Sequence, residues 1–297
     1  MANTKIEWAT KVWNPVTGCV KVSQGCKNCY AETYAKRFWG SRKFTEVRCH
    51  EDKLSIPLRW KKPQNIFVNS MSDLFHEDVP LEFIAKVFAI MYLNWCDFTP
   101  ELKHAAHNFM ILTKRPERLK MLVDDTFFEH VADYANEYHD RFIRQLSGTL
   151  HLNDEVASCF PLENVWLGVS TEDQNTFDER RFFLDQVPAV VKFISFEPLL
   201  GPIKFDFSEV GKFNWAICGG ESGKNARPVH PDWVRSLRDQ CAEHNIPFFF
   251  KQWGEYAPFL FDDVDQTDFD SLIKVGKKKA GRLLDGIEHN ELPGDRC

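Results

Sequence analysis

The chain has 297 residues, 43% hydrophobic and 27% charged, with a formal charge of −6 at pH 7. That length and balance suit a folded protein with a sizeable core and exclude global disorder. No run of about eighteen or more apolar residues occurs, and MANTKIEWATKVW lacks the basic-then-apolar build of a secretory signal, so a cytoplasmic protein with no membrane partner is expected. The negative total argues against coating nucleic acid through the overall field, while leaving room for a local basic patch.

The first feature along the chain is TGCVKVSQGCKNCYAETYAKRF, with Cys19, Cys26 and Cys29 separated by six and then two residues. Nine cysteines in a cytosolic chain, several at short spacing, point to metal binding or catalysis ahead of disulfides. Two thiolates two residues apart can turn onto one metal or one cluster, and a third nearby completes a trio. Gly18 and Gly25 each precede a cysteine and are expected to let the backbone bend around an inorganic core. A helix is expected from Tyr30 to Phe38.

Six apolar stretches follow, starting at Asn65, Asn108, Asn164, Val191, Asn214 and Ile246: NIFVNSM, NFMILTK, NVWLGVS, VKFISFE, NWAICGG and IPFFFKQ. Their β-branched and aromatic content, almost unbroken by polar residues, predicts strands of a parallel sheet buried on both faces. Between them, helical spacing predicts helices over residues 80–95, 116–123, 126–146, 176–186 and 231–244, three of which open with proline near the first turn. Repeated βα units predict an α/β fold, a partial (β/α) TIM-like barrel of about six to seven parallel strands, with a doubly wound sheet as the other arrangement.

The expected domain is 1–255, with a helical insertion at about 124–162, because that stretch is too long for a loop. Residues 256–297 carry the acidic FDDVDQTDFD and the basic GKKKAGR and are expected to form a C-terminal appendage.

Chemistry-capable residues stand just past the expected strand ends, where barrel loops assemble active sites. They are Ser70, Ser72 and Asp73, then Lys114 and Arg115, then Ser170, Thr171 and Glu172, then Glu197, Glu221 with Ser222, and Lys251 with Gln252. Lys114 and Arg115 could hold a carboxylate or phosphate, and Glu172, Asp173 and Glu197 could meet ribose hydroxyls or complement helix dipoles. In GGESGKNARPVHPDW, Ser222, Lys224 and Arg227 precede a helix that could receive an anion, without Walker spacing. His76 could be a proton donor or a loop residue, and Trp253 could stack on a base or close the barrel.

Two metals suit the trio. Structural zinc needs a fourth ligand, for which Cys49 and His50 are nearest. A three-cysteine set suits a four-iron cluster with one iron open.

The motifs TGCxxxSxGCxxCYA at 17–31, NSMSDLFHEDVP at 69–80, LTKRPERL at 112–119, GVSTEDQ at 168–174, SFEPLLGPI at 195–203 and GGESG at 219–223 carry a resemblance. With its cysteine trio ahead of βα units, the chain resembles the radical S-adenosylmethionine superfamily. More closely, it resembles a phage- and prophage-associated family of three-cysteine proteins without a settled activity. The resemblance implies a 4Fe-4S cluster on Cys19, Cys26 and Cys29, with S-adenosyl-L-methionine as cofactor and an electron donor as partner. It also implies reductive cleavage of the cofactor to a radical that acts on a substrate, with nucleic acid or nucleotide the expected class.

The first gap here is six residues where three is commonest in that superfamily, and the Gly-Gly-Glu segment follows a late strand. Its role is therefore not carried over; SMSD is the positional counterpart. Ser70, Ser72, Asp73, Lys114, Ser170, Glu172 and Glu197 are the cofactor-binding candidates. The alternatives are a zinc-stabilised protein that binds nucleic acid or a partner without redox activity, and a hydrolase or transferase that keeps the cysteines for structure.

Overall fold

A computed structural model describes residues 4, 6–95, 107–142, 156–208, 210–258 and 272–294. The acidic stretch of the tail and residues 143–155 of the insertion, with the last part of the helix expected over 126–146, lie outside the described residues.

Among the described residues, seven strands form one sheet: β1 (Lys11–Trp13), β4 (Asn65–Val68), β5 (Asn108–Thr113), β6 (Val165–Ser170), β7 (Val191–Phe196), β8 (Trp215–Gly219) and β9 (Phe248–Gln252). They lie side by side in chain order once the short hairpin β2 (Val16–Thr17) and β3 (Arg48–Cys49) is set aside. Neighbours run parallel, with Ile66 opposite Phe109 and Ile217 opposite Phe249. Parallel neighbours need crossovers, and an order with no reversal has no topological switch point. The strand order is that of a partial (β/α) barrel and not of a doubly wound sheet.

The six strands expected from apolarity are β4 to β9. β1 pairs in register with β4, Val12 opposite Phe67, and was too short to show as a periodic stretch. A second hairpin, β10 (Tyr256–Pro258) with β11 (Leu272–Lys274), is antiparallel.

The described residues pack as two compact units. The first comprises Met1–Val20, Trp39–Leu167 and Gln186–Val190. Its core is α2 (Leu81–Trp95), apolar nearly all round, with Phe83, Ile84, Val87, Phe88, Ile90, Met91 and Tyr92 buried. A helix of that pattern is stable only when covered on most sides. α3 (Asp125–Phe142) supplies part of the cover: Phe127, Val131, Ala135 and Tyr138 recur at helical spacing and are buried, and Phe127 meets Phe88 edge-on at 5.3 Å. The expected helical insertion is thus a packed part of this unit, whereas residues 116–123 form a 3-10 segment.

The second unit comprises Lys21–Phe38, Gly168–Asp185 and Val191–Cys297. It contains α1 (Tyr30–Phe38), α4 (Gln174–Asp185), α5 (Pro231–Glu243) and the short α6 (Lys277–Ala280). Its core joins the buried strand residues Phe193, Phe196, Ile217 and Phe250 to Phe177 and Leu184 of α4 and Val234 and Leu237 of α5. Gly168 is required there: a Cβ would lie 2.5 Å from the Phe193 ring. α5 opens as its proline predicts, with His230 Nδ1 accepting the Asp232 amide at 3.2 Å. No helix among the described residues is long and apolar enough to cross a membrane.

Candidate functional site

In the first unit the approach to Cys19 is fixed by backbone. Gly18 adopts φ +98°, and any Cβ there would sit 2.3 Å from the Glu46 carbonyl oxygen, so the turn tolerates only glycine. The Gly18 amide donates to Met71 O at 3.0 Å and the Cys19 amide to Phe44 O at 2.9 Å. Arg42 braces the preceding residue, donating to Thr17 Oγ1 at 3.0 Å and Thr17 O at 2.9 Å.

Arg115, buried at the end of β5, donates to Val20 O at 3.2 Å and brings Nη1 to 3.6 Å from the Cys19 sulfur. The same guanidinium pairs with Asp73 at 3.3 Å and Glu77 at 3.0 Å. Burial works against its charge, but Asp73, Cys19 and Glu77 outweigh it and hold Arg115 protonated above its ordinary range.

Asp73 is itself saturated: it accepts the Phe75 and Lys114 amides at 3.0 Å each and the Thr113 hydroxyl at 2.8 Å. Ser70 donates to Asn14 Oδ1 at 3.2 Å and Ser72 to Val16 O at 2.9 Å, so both fasten this loop to the residues ahead of the cysteines. His76 is buried, with Nδ1 accepting the Asp78 amide at 3.1 Å, and burial followed by Arg115 lowers its pKa.

In the second unit, side chains from two strand ends converge on the turn bearing Cys26 and Cys29. Glu172, fully buried past β6, accepts the Gly25 amide at 3.0 Å and pairs with Arg180 at 3.0 Å. Gly25 is needed for this approach, since a Cβ would lie 2.9 Å from that carboxylate. Past β8, Glu221 accepts from Arg227 Nη2 at 2.6 Å and Nε at 3.0 Å and from Asn28 Nδ2 at 2.8 Å. Asn28 also donates to Asn225 O at 2.8 Å, and Arg227 to Gln24 O at 2.9 Å.

Burial would raise the Glu221 carboxyl, yet the Arg227 and Asn28 hydrogen bonds outweigh it and hold it below the ordinary carboxylate range. The GGESG glycines serve this loop: a Cβ on Gly220 would lie 1.9 Å from the Trp253 carbonyl oxygen.

Glu197 stands apart from these clamps. It pairs with Lys251 at 3.0 Å and accepts from Ser195 at 3.1 Å, and Ser170 donates to its carbonyl at 3.1 Å. The side chains of Lys251 and Glu197 keep 18% and 15% exposure, so, unlike Glu172, this pair remains reachable by a ligand. Asp173 caps α4, accepting the Thr176 amide at 2.9 Å. Trp253 is buried and its Nε1 donates to Leu283 O at 2.7 Å, the wall role and not the stacking one.

Cys19, Cys26 and Cys29 are in no disulfide and half-buried, whereas Cys218 and Cys241 are buried core thiols. Thiols in no disulfide are donors of the kind an iron–sulfur cluster takes. Among the described residues no three His, Cys, Asp or Glu side chains stand as a ready metal-holding group. The zinc alternative draws no support from its fourth-ligand candidates. Burial and Glu51 push the Cys49 thiol up to about 11, and His50 Nε2 is 2.7 Å from the Thr17 hydroxyl.

Sequence reasoning located Glu172, Glu221, Arg115 and Arg227 as chemically capable, but not what they hold. Asn28 and Arg180 were missed, their only signals being a polar residue inside the CxxC spacing and an arginine on a helix.

The molecule is therefore an α/β protein of the partial (β/α) barrel class whose strand-end residues clamp an N-terminal cysteine loop. Over residues 3–293 the chain matches the family described as protein of unknown function (DUF5131), and it belongs to that family. No curated protein and no solved structure matches it.

Proposed function

We propose that the chain is an iron–sulfur enzyme of the radical S-adenosylmethionine type. Cys19, Cys26 and Cys29 would hold a 4Fe-4S cluster, and S-adenosylmethionine would bind beside it. The observation that carries the reading is the bracing of one short loop. Glu172, Glu221 with Asn28, and Arg227 fix the Cys26–Cys29 turn in the second unit, and Arg115 fixes Cys19 and Val20 in the first, while none of the three cysteines is in a disulfide. A ligand loop held by outer hydrogen bonds is how proteins orient metal-binding side chains.

A cluster held there would, once reduced by an external electron donor, supply the electron for reductive cleavage of the cofactor. The chain's own residues position and neutralise. Arg115 sets a positive charge at the Cys19 sulfur, which favours cluster ligation by thiolate. Glu197 and Lys251 form a part-open ion pair suited to the polar groups of the cofactor, with Lys114 and Ser170 also at strand ends. Ser70, Ser72, Asp73 and Glu172 act through the loops that they fasten.

The test is anaerobic purification and reconstitution, with iron, sulfide and zinc measured together. Expected are iron and sulfide near four each per chain, lost in Cys26→Ala, and release of 5′-deoxyadenosine when the reduced protein meets S-adenosylmethionine. A colourless protein with one zinc and no sulfide establishes the zinc-stabilised alternative instead. An activity that survives Cys26→Ala establishes a hydrolase or transferase.

A further inference from the structure

The helix after the cysteines is built inside out. An amphipathic helix normally buries its large apolar side chains. α1 buries only Ala31 and Ala35, while Tyr30, Tyr34 and Phe38 are 55%, 50% and 56% exposed. Spaced four apart, Tyr34 and Phe38 form one stripe, with 4.5 Å between ring centroids.

Cations accompany the stripe. Residues 21–38 hold Lys21, Lys27, Lys36 and Arg37 against a single acid, Glu32, in a chain of net charge −6. That acid is neutralised by Lys21 at 3.0 Å and Lys36 at 2.8 Å. Arg37 lies 5.1 Å from the Phe38 ring centre.

A second basic edge adjoins the start of α1. Asn28, two residues before Tyr30, bonds to Asn225 O, and Lys274 Nζ donates to the carbonyl of the neighbouring Lys224. Lys277, Lys278 and Lys279 follow, and all five of these lysines are exposed.

We propose that the exposed face of α1, with these lysines, binds a single-stranded polynucleotide whose bases stack on Tyr34 and Phe38. Aromatic platforms beside a cationic track are what unpaired strands recognise, because each base has a face to stack and each phosphate a charge to neutralise. A duplex keeps its bases inside and cannot use the ladder. A second copy of the chain, docked face to face, would set these cations against themselves. The inference deepens the function proposed above by naming its substrate class, and it rests on that reading only for the bound strand being the substrate.

The test is fluorescence anisotropy of the anaerobically purified full chain with labelled oligo(dT), oligo(U) and a duplex of equal length, over a salt series. The single strands are expected to bind more tightly than the duplex, and the oligo(dT) and oligo(U) arms separate DNA from RNA. A Tyr34→Ala/Phe38→Ala variant is expected to weaken binding by about 30-fold or more, the size of two lost base stacks, with iron content and melting temperature unchanged. Lys36→Glu/Arg37→Glu is expected to flatten the dependence of log affinity on log salt by about 1.4 for two lost phosphate contacts.

Equal affinity in the aromatic variant, or preference for the duplex, overturns the proposal. So does a dimer abolished by that variant while oligonucleotide binding persists. Strand binding by a protein without iron would sink the cluster reading and leave this one standing. Iron and deoxyadenosine formation without strand binding would do the reverse.

Discussion

α1 and α2 use aromatic side chains in opposite ways. In α2, eleven of fifteen residues are buried, Phe83, Phe88 and Tyr92 among them, and they build the core of the first unit. In α1, the alanines face inward and the aromatics face water. Apolar content is therefore no guide to what a helix does; the side chain's direction relative to its own unit is. Selection for stability alone would reverse the α1 pattern, which is why the proposal assigns its exposed rings to binding, while the α2 rings serve folding.

Substitutions can break or sharpen that contrast. Phe88→Ala is expected to cost about 3–5 kcal/mol in chemical denaturation, through a lost transfer term and a cavity between α2 and α3. Arg115→Met removes a buried cation and strands Asp73, with an expected cost of about 3–5 kcal/mol and a fall in bound iron as Cys19 loosens. An intact iron content in that variant would separate the Arg115 network from the cysteine loop.

Glu221→Gln keeps the shape and removes the charge. About 1.5–3 kcal/mol is expected, with faster proteolysis between Gln24 and Asn28 as the local readout. The sign of its pH dependence follows from the lowered carboxyl: the contribution is complete above the unfolded value of 4.5 and disappears as pH falls through the folded one. The parent should therefore lose stability on acidification below about pH 4.5 more steeply than the variant. A parallel acid profile would count against the Arg227 pair. Smallest of all, Tyr34→Ala should change stability by no more than about 0.5 kcal/mol. A loss comparable to that of Phe88→Ala would show that the α1 ring is structural and end the contrast.

Much of the fold was legible in the sequence. The apolar runs from Asn65, Asn108, Asn164, Val191, Asn214 and Ile246 became β4 to β9, because a parallel strand covered on both faces has little room for polar residues. The helix expected at 176–186 begins at Gln174, since Asp173 caps it through the Thr176 amide. The site was legible as residue types only. Gly25 was expected to bend the backbone, whereas what it supplies is room for the Glu172 carboxylate. Glu221 and Arg227 stood out as candidates for a ligand, but six residues apart they satisfy each other.

The sequence by itself determined six of the sheet's seven strands, the helices at 80–95, 176–186 and 231–244 and the spacing of the three cysteines, because each depends on neighbours within a few residues. Only the tertiary structure decided which groups brace the cysteine loop. Glu172 meets Gly25 across 147 residues and Asn28 meets Glu221 across 193, and no periodicity links residues so far apart. It also decided which face of α1 is outward. The aromatic stripe and the alanine pair are both readable at helical spacing, but burial depends on what the rest of the unit packs against them, and there the small side chains are the ones that fit.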